Sequence, residues 1–379
     1  MENQVEVPEY KQLVGGPVTG NESGTYVIDS QGGSENFSRV SSLWLPQTLT
    51  FDQCIEELET QRSNRVDITG KWEDWKFVVL EGGIRLENVD GRQFKPTPYA
   101  IKQVCQNWCS VLPSHVDRTL DPEFEADEID ISQLVDMLNH RKQRHHKDNK
   151  NNDRELLFRT YADNTLRAVL TKGYAPIDNI WFMNLLKDLV KDGRVSHMRG
   201  NLDTIRSNIL IPDSIRFDTD SDYGGLFAVK NSEIGEASLD CCPSVFRAIC
   251  MNGCLHQNHS GISLRKVHKG EIDLKTLAVQ IKDNLNEQIK LIPSVIEKFL
   301  SIRQYEFAPE LTLGVFSAIA ERFKIAPKQA NDVLQKFIDF ESSDTTAFSI
   351  VNSITRASQL YEPDECERFD KIGGSLVES

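Results

Sequence analysis

Residues 224–269 read GGLFAVKNSEIGEASLDCCPSVFRAICMNGCLHQNHSGISLRKVHK. Short apolar runs, Leu226 to Asn231, Ser244 to Met251 and Ile262 to His268, alternate here with turn residues. A fourth run, Ile205 to Ile211, precedes them. Strands this close together leave no room for crossover helices, so the pattern predicts an antiparallel sheet rather than βαβ units. The fold class expected is α+β: an antiparallel β-sheet core in the middle third packed by helices, with a helical C-terminal third.

Working outward, the chain divides by composition. Residues 1–40 are rich in Gly, Ser, Asn and Glu and are expected to form a disordered tail, with order beginning near Ser41 to Pro46. Residues 41–120 read as an N-terminal α+β part. Within it, Phe51, Cys54, Ile55 and Leu58 have helical spacing, and Lys76–Leu80 and Ile84–Leu86 flank a glycine turn. Thr97 is placed to cap a helix with Pro98 at its first position. Residues 121–152 run from acidic to basic and are expected to be a linker or insertion, with its basic end Arg141 to Lys150 a possible nucleic-acid patch. Residues 153–270 form the β-rich core, where Leu156 to Leu170 suggests two strands about Asp163-Asn164 and Asp178 caps a helix. Residues 271–360 carry long helical patterns, and 361–379 is expected to be a mobile acidic tail.

Size and charge exclude some classes of function. A chain of 379 residues can bury a large core without staples. No apolar run approaches the roughly 20 residues that cross a bilayer, and no basic-then-apolar leader opens the chain. A cytoplasmic location, reduced cysteines and no membrane partner are therefore expected. The net charge of −14 disfavours general polyanion binding. It is unevenly spread: −9 over 1–150, +1 over 151–270 and −6 over 271–379. The phosphate loop, the dinucleotide fingerprint, His-Glu-x-x-His and Gly-x-Ser-x-Gly are all absent, which argues against ATP-driven motors and the common hydrolases.

The opening stretch holds four of eight cysteines and three of eight histidines. Three readings stand side by side. Cys250, Cys254, His256 and His259 are suitable zinc donors, although no Cys-x-x-Cys knuckle is present. A catalytic thiolate, Cys250 or Cys254 near His268, is the second. The third is a hairpin with inward cysteines and a tight turn at Asn252-Gly253. No cofactor is expected. Beyond the turn, Arg265, Lys266, His268 and Lys269 form a basic strand, and Arg247 lies upstream. These five could line a groove for a phosphate backbone. Tyr161, Tyr174, Trp181 and Tyr223 could stack on unpaired bases. A basic, solvated edge strand that discourages aggregation is the plain alternative.

Several of these residues carry a resemblance. Asn231-Ser232-Glu233-x-Gly235, Arg247-x-x-Cys250-x-Asn252-Gly253 and His268, with Arg159, Arg167 and Tyr174-x-Pro176-Ile177-Asp178-Asn179 upstream, resemble the core of a family of phage- and plasmid-borne proteins of unknown function. The helix from Thr97 and the segment Thr345 to Arg356 are similar to its flanking helices. The likeness spans about residues 95–360. Residues 121–152 and Cys241, Cys242 and Cys254 depart from the pattern. The resemblance implies a place beside replication and recombination functions. It also suggests a distant kinship with ATP-independent single-strand annealing proteins, which form rings. The expected function is then single-stranded DNA binding in ATP-independent recombination or strand annealing, by a homo-oligomer. The nucleic-acid residues would be Arg159, Arg167, Tyr174, Arg247, Asn252, Arg265, Lys266, His268 and Lys269. The alternatives are a host-interaction or anti-defence protein that binds a protein partner through the acidic segments 121–130 and 362–370, a metal- or thiol-dependent enzyme built on residues 241–268, and a structural or virion role.

Overall fold

In the computed structural model the described residues are 48–81, 83–109, 111, 116, 128–148, 155–199, 203–211, 214, 216–217, 222–247, 252–255, 264–361 and 363–378. The expected tail 1–40, the onset of order at 41–46, the acidic residues 121–127 and the basic residues 149–152 lie outside them. The fold is α+β, with strands concentrated before residue 270 and helices after it.

Two sheets organise the described residues. The first takes β1 (Leu49–Thr50), β8 (Arg194–Arg199), β9 (Thr204–Leu210), β11 (Asp222–Ser232) and β12 (Leu239–Arg247) in that order, all antiparallel. β10 (Arg216–Phe217) adds to β11. The second runs β2 (Arg65–Lys71), β6 (Glu155–Tyr161), β7 (Thr165–Thr171), β5 (Gln93–Pro96), β4 (Gly83–Glu87) and β3 (Lys76–Leu80). It is antiparallel except where β5 meets β7. The two strands expected about Asp163-Asn164 are therefore present, with Asn164 at φ 63°, but they belong to the N-terminal sheet. The single β-rich core expected over 153–270 is thus divided between two sheets. Pairing of β6 with β2, some 90 residues earlier, decides this, and no local pattern records it.

Past β12 the edge of the first sheet is split. β14 (Leu264–Lys266) pairs with Leu239 to Cys241, and β13 (Asn252–Leu255) pairs with Ser244 to Arg247. Pro243, which has no N–H to donate, falls in the gap between them. Arg247 stands opposite Asn252, so Asn252-Gly253 opens the return strand and is not the turn. β14 meets the opposite end of β12 from Arg247, and Arg265 faces Asp240.

Helices cover the sheets. α1 (Phe51–Ser63) begins with a capping box, Gln53 N–H donating to Thr50 Oγ1 at 3.1 Å and Thr50 N–H to Gln53 Oε1 at 2.8 Å. α2 (Pro98–Val104) starts on Thr97, as expected, and continues into a π turn, Cys105–Cys109. α3 (Glu128–Asp148) occupies the expected linker. Ile131, Leu134, Val135 and Leu138 are its buried stripe, against Trp72, Trp75, Phe94 and Phe158 of the second sheet's core. Asn139 reinforces this contact: its amide exchanges two hydrogen bonds of 2.9 Å with the backbone of Phe77 and so covers the free edge of β3. α4 (Asn179–Leu189), capped by Asp178, and α5 (Leu274–Ser301) join α1 on one face of the first sheet.

The C-terminal third is a helical cluster of α6 (Thr312–Phe323), α7 (Pro327–Phe340), α8 (Ala347–Ser358) and α9 (Pro363–Glu378). α8 is its axis, buried from Phe348 to Ser358. α9 corrects the expected mobile tail. Cys366, Phe369, Ile372 and Val377 are buried, and the acids between them are engaged: Asp364 with Arg206 at 2.7 Å, Glu367 with Lys230 at 2.8 Å and Lys371 at 2.7 Å.

Lys142 of α3 is buried over the Trp72 ring, with its Nζ donating to the carbonyls of Glu73 and Trp75. Burial pulls its pKa down from the ordinary 10.5 to about 8. Between these values the unfolded chain holds a proton that the folded chain has released. Stability is therefore expected to rise with pH across that window. Urea unfolding from pH 7.5 to 10.5 checks this: Lys142→Met should flatten the rise, and an unchanged slope in the variant would remove Lys142 as its cause.

Candidate functional site: a buried charged junction

Arginine has no deprotonated form to retreat to, so a buried arginine needs a carboxylate. Arg167 on β7 has no solvent exposure at all. Its guanidinium meets Asp203 directly and Glu233 at 3.7 Å, and lies over the Tyr161 ring at 4.5 Å. Asp203 also accepts from Tyr161 Oη at 3.0 Å and from Gln61 Nε2 at 3.0 Å. Glu233 receives Arg65 at 2.6 Å, and its Oε1 accepts the Asn179 N–H at 2.7 Å, a carboxylate at the amino end of α4. Arg159 donates to the Glu233 carbonyl at 3.0 Å and reaches Asp67 at 3.7 Å. Asp178 stands between Arg62 at 3.8 Å and Arg65 at 3.7 Å. Asn231 donates to Ile177 O at 2.9 Å and Asn179 Oδ1 at 2.7 Å.

Four guanidinium groups thus face four carboxylates where the two sheets meet. Burial pushes the Glu233 carboxyl up, while Arg65, the Asn179 N–H and Arg167 pull it down. Burial and the Asp203 charge push the Tyr161 hydroxyl up to about 12, so it stays a proton donor at neutral pH. A cleft of about 540 Å3 opens beside the network, lined by Glu57, Thr60, Gln61, Asn64, Tyr161, Ala162 and Asp163.

A second group of motif residues lies on the same junction. Tyr174 Oη donates to Ser232 O at 2.7 Å, and its ring stacks on His268 at 5.3 Å. His268 is buried and its Nδ1 donates to Ala175 O at 3.1 Å. Burial lowers its pKa, so the ring is neutral. Gly235 has φ +81°, a backbone conformation that favours glycine, and it packs against Leu170 and Tyr174.

The structure therefore brings together Arg159, Arg167, Tyr174 and His268, along a buried seam and not an open groove. The other members of the expected groove lie apart. Arg247 pairs with Glu341 at 3.1 Å and reaches the Phe348 ring, far along β12 from β14. Asn252 belongs to β13. Among the members whose exposure is described, Arg265 and Lys269 are exposed and Lys266 is half-buried. The aromatic platform does not form either. Tyr223 is fully buried and bonded to Arg303, and Trp181 packs on the first core. Gln61, Arg65 and Asp203 were missed by sequence reasoning. Asp203 is one acid among many there, and only its place beside Arg167 distinguishes it.

For the cysteine–histidine cluster, Cys250, His256 and His259 lie outside the described residues, and Cys254 is described only as part of β13. Among the described residues no group of His, Cys, Asp or Glu could hold a metal ion. Burial raises the Cys241 thiol well above its ordinary value and Cys242 to about 12, which makes both poor thiolates. No helix of the described residues is long and apolar enough to cross a membrane. No protein family, characterised protein or solved structure matches the chain.

Proposed function

We propose that the chain binds single-stranded nucleic acid without nucleotide hydrolysis, in the manner of a recombination or strand-annealing protein. The observation that carries this reading is the cluster of cations where β14 leaves the first sheet. Arg265 and Lys269 are exposed, and Lys266 is half-buried. The Tyr174–Lys269 bridge and the Gly270 N–H to Gly173 O bond of 3.0 Å bring in Lys172, which is 85% exposed. Glu155 and Glu271 temper the patch, so contacts are few and local.

In this reading the buried motif residues do not touch the ligand. The Tyr174–His268 stack and the His268–Ala175 bond hold residues 264–270 against the loop after β7. Arg159 and Arg167 fix that loop's sheet to Glu233. The cations are thereby presented on a rigid base, which lowers the ordering cost of each phosphate contact.

Fluorescence anisotropy of a labelled single strand, in a salt series without ATP, tests the proposal. Three or four phosphate contacts predict a log–log salt slope of about −2 to −3. Arg265→Glu with Lys266→Glu should abolish binding without altering the melting temperature. Absence of binding at low salt, or a variant that binds as well as the parent, would reject it.

A further inference from the structure

The helical cluster carries an apolar cavity unrelated to the charged junction. It measures about 630 Å3 and opens between the carboxyl end of α5, the 3-10 turn Ile302–Gln304, α6, α8 and the end of α9. Ile302, Phe307, Val315, Ile319, Ile350 and Val351 contribute its walls. That size and lining suit a binding site.

Beside this hole stand two apolar projections. Tyr305 lines the mouth and is 61% exposed. Leu311 is 56% exposed. It precedes Val315 by four residues and Ile319 by eight, so it extends the stripe that forms the cavity wall out onto the surface. Exposed Val279, Ile338 and Leu360 stand on other elements and need no partner. The rim carries both signs, with Lys298 and Glu306 both exposed.

We propose that this face binds a second copy of the chain about a two-fold axis, with Tyr305 and Leu311 of each copy seated in the other's cavity. A two-fold interface uses one patch twice, so the patch must complement itself. A knob beside a matching hole meets that condition, and so does a rim in which Lys298 of one copy can face Glu306 of the other. An exposed tyrosine beside an apolar cavity is also the residue type that anchors interfaces.

Sedimentation equilibrium of the full chain, over a hundredfold concentration range reaching about 50 μM, tests this. The parent chain is expected to reach twice its monomer mass. Tyr305→Ser with Leu311→Ser should weaken the dimer at least about tenfold. Leu360→Ser, in the turn after α8, should not. Both changes lie on the surface, and thermal melting confirms the fold. A parent that stays monomeric, or a double variant that associates like the parent, would overturn the proposal.

Discussion

Arg167→Met should cost about 3–5 kcal/mol of folding stability, the range found when one member of a buried ion pair is removed. The change takes the guanidinium from between Asp203 and Glu233, both of which are nearly inaccessible to water. Methionine fills much of the volume, so the loss would come from stranded carboxylates and not from a cavity. The carboxylates then bind protons more tightly in the folded chain, and part of the loss should be recovered at low pH. Urea unfolding at pH 7 and pH 5 reads both effects. Pairing Arg167→Met with Asp203→Asn should cost at least about 1 kcal/mol less than the sum of the single changes. A single-variant loss below about 1 kcal/mol would mean that the junction contributes no net stability.

Gly225→Val should cost about 3 kcal/mol, the upper range for overpacking. Gly225 lies in β11 beneath α5, and a Cβ built on it would come within 2.3 Å of Ile292 Cγ2. The helix and the strand touch through this glycine, and neither can withdraw: β11 is bonded on both sides, and α5 is held by Leu285, Val295, Ile296 and Phe299. Ile292→Ala alone should cost about 2–5 kcal/mol for the cavity it leaves. Combined with Gly225→Val it should cost less than the sum of the two single changes, because the new methyls occupy the vacated space. Denaturant midpoints of the three variants measure this, and simple additivity would show that the contact does not limit the packing.

Much of the architecture was legible because it is local. Thr97-Pro98 and Asp178 mark helix starts through caps made within three residues, and short apolar runs between turn residues mark β9, β11 and the end of β12, whose first five residues, Leu239 to Pro243, lie before the expected run. α3 was obscured by charge. Its acidic and basic runs suggest a solvated linker, yet Ile131, Leu134, Val135 and Leu138 hold a helical stripe that counts for more than composition. α9 repeats the lesson with Cys366, Phe369 and Ile372. For the site, the resemblance named Arg159, Arg167, Tyr174, Glu233 and His268 among its motif residues, and the structure places these five on one junction while Arg247 and Asn252 lie elsewhere. Their exposure was not legible, because whether a cation meets water or a carboxylate depends on Asp203 and Arg65, which lie far away in sequence. Strand register also separated Arg247 from Arg265 by seven residues of β12, about 23 Å along a strand.

The sheet that β2 to β5 begin and β6 and β7 complete has a consequence for inheritance. Residues 155–171 supply its second and third strands, while 65–96 supply the other four. The motif-bearing middle of the chain is therefore not a cassette that a recombination event could lift out and graft elsewhere. A crossover between β5 and β6 would leave one product with four of the sheet's strands and the other with two, and would part Arg65 from Glu233 and Arg159 from Asp67. A unit that moves between genomes intact must keep α1 and β2 together with β6 to β12, because Gln61 and the β11–β12 pairing belong to the same assembly, and an exchange inside it succeeds only where the incoming strands bring the same pairing with them.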